Sequence, residues 1–174
     1  MRRLVRFLTA SMAASAIAIL TVSLVTASPS DMQIARANSA RFNSVDQATA
    51  AGYGLLPEGA PLHECIAATD GSGAMGLHYI NGGLLDGSLD PANPEALVYA
   101  PDGHGNLRLA ALEYVVFEAD WTGGGVPTLF GQELMYTPSP NRYEIPAFYA
   151  LHVWLWNSNP SGIFMPFNPD VSCP

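Results

Sequence analysis

Two histidines and a glutamate interrupt the most apolar segments of this 174-residue chain. His78 lies in Gly73-Ala-Met-Gly-Leu-His-Tyr-Ile-Asn81, Glu113 in Leu107-Arg-Leu-Ala-Ala-Leu-Glu-Tyr-Val-Val-Phe117, and His152 in Tyr149-Ala-Leu-His-Val-Trp-Leu-Trp156. An ionisable side chain is costly to bury unless it is paired, hydrogen-bonded or bound to a metal. Two imidazoles and a carboxylate converging in a dry pocket can hold one divalent ion and leave positions open for water or a small ligand. The same trio could run metal-free acid–base chemistry, with Glu113 orienting or charging a histidine. A third reading involves no chemistry: a buried network in which Glu113 accepts from a histidine or from Tyr114. Widely separated single residues specify less than HxH or HExxH, so all three readings stay open at this point. Glu95, at the start of the preceding strand-like run, is a fourth candidate ligand that could equally cap that strand in solvent.

The elements that must carry these residues read as strands. Alternation along 107–117 puts Leu107, Leu109, Ala111, Glu113, Val115 and Phe117 on one face, so that Glu113 is its lone charge. His152 shares a face with Ala150, Trp154 and Trp156, and His78 falls with Ala74, Gly76 and Ile80. Ala96–Ala100 and Leu107–Glu118 flank Pro101-Asp-Gly-His-Gly-Asn106, a turn-rich link of hairpin length. His104 in that turn and His63 in a loop are poor site candidates. Residues 119–148 hold three consecutive glycines and four prolines, which suits either a lid or binding loop or a pair of short strands.

Helices are expected only near the N-terminus. Asp31 to Phe42 carries a weak apolar stripe. Ser44-Val-Asp-Gln47 has the form of a capping box, opening a second helix that stops at Gly52. The expected fold is therefore α+β: two N-terminal helices followed by an antiparallel sheet or partly closed barrel. No helical pattern separates the strands, which disfavours parallel βαβ architecture.

Residues 1–27 read as a signal peptide. Arg2, Arg3 and Arg6 precede an apolar run from Leu8 to Val25, and small residues end the segment, with cleavage expected between Ala27 and Ser28. Residues 28–174 then form a single domain, secreted or held in the periplasm or envelope. Its four arginines stand against fifteen acids and no lysine, a net charge of −11 with histidine neutral. So acidic a surface repels nucleic acid and anionic lipid, which excludes both as partners of the processed chain. Cys65 and Cys173, an even count in an exported domain, read as one disulfide. There is no GxSxG elbow, no Walker loop and no GxGxxG after a strand.

The string Gly73 to Asn81, Pro94-Glu-Ala-Leu-Val-Tyr99, Leu112-Glu-Tyr114, Leu151-His-Val-Trp-Leu-Trp-Asn157, Asn159-Pro-Ser-Gly-Ile-Phe164 and Asn168-Pro-Asp-Val-Ser-Cys173 resembles a family of exported bacterial proteins of unknown function. The similarity covers about residues 35–174. It implies export and a common fold, and no activity. Three classes thus stand: a binder of a divalent metal or small ligand, a metal-dependent enzyme with a 2-His-1-carboxylate-like site, and an envelope or interaction protein without a site. Oligomeric state is not legible.

Overall fold

A computed structural model describes residues 29–173. The signal segment and its Ala27/Ser28 junction lie outside them. Helix α1 (Pro29–Ser39) has Asp31 in its first turn and Arg36 in its last, each placed to complement the helix dipole. A 3-10 turn at Ala40–Asn43 follows, and then α2 (Val45–Ala50), which is only six residues long. The expectation of two N-terminal helices is therefore corrected. One helix forms at length, and the chain is mostly β rather than evenly α+β. The capping box is absent too: Ser44 is extended and makes no side-chain cap, and its carbonyl, not its hydroxyl, accepts from the amides of Gln47 and Ala48. Gly52 ends α2 in the left-handed region, φ +92°.

The strands are β1 (Ile66–Ala67), β2 (Ala74–Ile80), β3 (Ala96–Pro101), β4 (Leu107–Phe117), β5 (Thr128–Leu129), β6 (Gln132–Glu133), β7 (Met135–Thr137) and β8 (Phe148–Val153). Six of them form one antiparallel sheet in the order β1-β2-β3-β4-β8-β7, while β5 and β6 pair as a separate small hairpin. Residues 119–148 thus contain short strands, as one of the two sequence readings held. The Pro101–Asn106 link does join a β3–β4 hairpin, held by Asp102 accepting from the amides of His104 and Asn106.

The sheet has two unlike faces. One packs on the helical segment through Leu97, Tyr99, Leu112, Tyr114, Leu151 and Val153, against Ala35, Phe42 and Ala48. The phenols buried there are satisfied: Tyr99 donates to the carbonyl of Phe42 at 2.6 Å and Tyr114 to that of Pro91 at 2.8 Å. Tyr114 therefore turns away from Glu113. Arg36 lies over the Trp156 ring and donates to the Leu155 carbonyl, and Trp156 Nε1 donates to Ser39 at 3.1 Å. Trp156 accordingly packs with the helices and not beside His152 as strict alternation would have it, because β8 ends at Val153.

Alternation also breaks once along β4. Val98 pairs with Ala111 and Tyr99 with Leu109, leaving Ala110 as the extra residue of a bulge. The bulge reverses the phase, so Leu109 joins the helix-side core while Ala110 and Ala111 both pack with Val98 and Trp154. Glu113 keeps Ala111, Val115 and Phe117 as face-mates but not Leu107 or Leu109. The Ala110 carbonyl accepts from the amides of both Trp156 and Asn157, which turns the chain out of β8.

Cys65 and Cys173 are bonded, with Cα atoms 5.5 Å apart across 108 residues of sequence. The bridge ties the C-terminal segment to the strand edge at Ile66. That segment also bridges Ala74 through Asn168. Gly73, at φ +125°, is required at this junction, since a Cβ there would stand 2.2 Å from the Asn168 carbonyl oxygen.

Candidate metal centre

The second face of the sheet brings the ionisable residues together. In register, Glu113 on β4 stands opposite His152 on β8 and Ala96 on β3, while His78 on β2 stands opposite Val98, two residues along β3 from Ala96. Glu113 and His152 are direct cross-strand neighbours. His78 reaches Glu113 across β3, and the small Ala96 side chain leaves the space to do so. His78 Nε2 lies 3.2 Å from Glu113 Oε2, His152 Nδ1 lies 3.4 Å from Glu113 Oε1, and the two imidazole Nε2 atoms are 3.4 Å apart. The rings meet edge to face at 83°, and His152 is stacked on Trp154 with centroids 6.3 Å apart. One donor atom from each of the three residues can be chosen so that all lie within 4.8 Å of one another, and the group could hold a metal ion.

Both histidines are buried, and Glu113 is nearly so. Burial is the largest influence on Glu113 and opposes its ionisation. The charge of His152, then that of His78 and the hydrogen bond from His78, outweigh it and hold the carboxyl down at about 2. Burial acts the other way on His152, pushing it down to about 4 against the pull of Glu113. At neutral pH the site thus holds a carboxylate facing a neutral His152, the form of imidazole that ligates a metal. His78 Nδ1 is buried with no hydrogen-bond partner among the described residues.

The trio lies in the wall of a cavity of about 400 Å³. Residues from β1 (Ile66) and β7 (Met135) both line it, so the sheet curls as a half-barrel around the space. Most of the lining is aliphatic or aromatic, including Leu56, Ile80, Val115, Phe117 and Phe148. Glu95 lines the same cavity but stands outside the three-residue group. It is buried rather than solvent-exposed, and its Oε2 accepts from the Val115 amide at 2.9 Å. Burial pushes its carboxyl up to about 8, with smaller contributions from Asp86 and Glu113. Its protonated form is therefore favoured in the cavity at neutral pH. His63 (bonded to the Leu56 carbonyl) and His104 (exposed) stay outside the group.

Among the cavity residues that the sequence did not single out, one carries a polar group over the space. Tyr143 sits in the 138–147 segment that crosses from β7 to β8 over the cavity, its ring edge-on to Phe148 at 6.0 Å. Arg142 anchors the segment by donating to the Ala67 carbonyl at 3.3 Å. Burial, then the charge of Glu113, push the Tyr143 hydroxyl up from its ordinary value. The available signal was a lone aromatic between prolines in a stretch already marked as a lid or binding loop.

No protein-family model, curated protein or solved structure matches the chain. The site must therefore be argued from its own geometry. No helix among the described residues is long and apolar enough to cross a membrane, and the disulfide fits an oxidising compartment.

Proposed function

We propose that the protein holds one divalent metal ion through His78, Glu113 and His152, with coordination positions left open toward the apolar cavity. The observation that carries this reading is the convergence of three donors from three strands in an otherwise apolar wall. Ligands about 2.0–2.2 Å from a common tetrahedral ion stand roughly 3.4 Å from each other. One donor from each residue lies within 4.8 Å of the others, so shifts of about an ångström close the three side chains onto one ion. Two imidazoles and one carboxylate suit zinc or another first-row divalent ion better than calcium or magnesium. The open side makes a metal-dependent enzyme the natural extension of a metal-binding protein. Export is part of the same reading, supported by the disulfide, the signal-like residues 1–27 and the resemblance to exported bacterial proteins.

A second reading rests on the same distances, because Glu113 can accept from both histidines and close a hydrogen-bonded network without an ion. Tag-free protein recovered from the export route separates the two. Elemental analysis should find close to one equivalent of a transition metal, and zinc titration of stripped protein should give one site. Glu113→Gln keeps the volume and removes the charge, and should weaken zinc by at least about tenfold. Stripped protein that takes up no zinc, or a Gln variant that binds it equally well, leaves the hydrogen-bonded network as the answer.

A further inference from the structure

The cavity itself selects a ligand. Its volume of about 400 Å³ is at the small end for ligand sites and, at about 30 Å³ per non-hydrogen atom in a liquid, accommodates roughly a dozen such atoms. No lysine or arginine is among its lining residues, and its walls are largely hydrocarbon, so the body of any occupant must be apolar. Charge fixes the head. A divalent ion with one carboxylate and two neutral imidazoles carries a net single positive charge. In an apolar cavity that charge calls for one negative partner. The other acid of the cavity, Glu95, is engaged by the Val115 amide and stands outside the three-residue group, so the partner at the ion itself must arrive with the ligand.

Tyr143 supplies a second polar contact. Its ring lines the cavity, and its hydroxyl bonds to no protein group among the described residues. A half-buried phenol at the wall of an apolar cavity, with no such partner, can donate to an acceptor that a ligand brings. Resting on the metal reading above, we propose that the cavity binds a small apolar carboxylate, its head completing the coordination of the ion and accepting the Tyr143 hydroxyl. Because the carboxylate head coordinates the ion, metal and carboxylate bind cooperatively, each raising the affinity of the other.

The test is calorimetric titration of the full exported protein with 4-phenylbutyrate and with its neutral counterpart 4-phenylbutanol, zinc-loaded and metal-free. Zinc-loaded protein should bind the acid at least about tenfold more tightly than metal-free protein does, within the usual range for coupled sites. The alcohol should show no such dependence on zinc. Tyr143→Phe, checked for folding by circular dichroism, should weaken the acid several-fold in the zinc-loaded form and leave the alcohol's dependence on zinc unchanged. One equivalent of zinc taken up with no gain in affinity for the acid overturns this inference and leaves the metal site standing. Failure to take up zinc overturns both.

Discussion

Replacing Glu95 with Gln should make the protein more resistant to alkaline pH, by an amount that follows from where the carboxyl sits. Glu95 is 2% exposed, and burial raises its carboxyl from 4.5 to about 8. A carboxyl whose value is raised on folding contributes stability that is fully present below its unfolded value of 4.5. That stability is lost as pH rises through the folded value of about 8. Each unit of difference is worth about 1.4 kcal/mol, so the wild-type protein should lose up to about 5 kcal/mol between those two points. Glutamine does not titrate, and its side-chain oxygen can still accept from the Val115 amide. Urea unfolding at a series of pH values from 4.5 to 9 should therefore show the variant gaining on wild type steadily up to about pH 8. Beyond that the difference should be level. A difference that stays constant across the series would mean that Glu95 ionises as freely in the folded chain as in the unfolded one, and the reasoning about its burial would be wrong.

Two further outcomes are expected. Removing the bridge as Cys65→Ala with Cys173→Ala frees 108 residues of sequence separation and should lower stability by up to about 4.7 kcal/mol, read as a fall in the urea midpoint. Replacing His78, Glu113 and His152 together by Leu should abolish zinc uptake yet leave the unfolding free energy unchanged or raised by about 1–4 kcal/mol, whereas Glu113→Leu alone should be strongly destabilising in any buffer where a histidine is left charged.

The site was more legible than the fold. His78, Glu113 and His152 each stand at the centre of a strongly apolar run, and the cost of burying them singly is general enough to predict their meeting without any knowledge of topology. Pairing of Cys65 with Cys173 was legible because two cysteines allow one bridge. What failed were features that local pattern does not control. The β4 bulge at Ala110 reversed the alternation upstream of Glu113, and in a run of two alanines neither side chain marks the slip. Ser44 met the pattern of a capping box, but its extended backbone was used to turn the chain from a 3-10 segment into α2, and its hydroxyl made no cap. Glu95 read equally well as a solvent cap, and only the fold of the 81–95 segment against β4 shows it buried on the Val115 amide.

Two costs coincide in this molecule, and their coincidence bears on which reading of the trio is right. A buried ionic network adds little net stability compared with apolar side chains of the same volume, so stability alone gives no reason for His78, Glu113 and His152 to occupy the wall of the sheet. A cavity of about 400 Å³ beside them forfeits dispersion contacts that larger side chains could have made. Ala96 and Ala150 line that cavity where bulkier strand-forming residues would fill it. A purely structural network needs only the first of these features, because its hydrogen bonds would close as well beneath a packed layer. A site that must admit a ligand to a bound ion needs both, in one place. The unfilled space over the trio thus weighs toward binding in a way that the three side-chain distances alone do not.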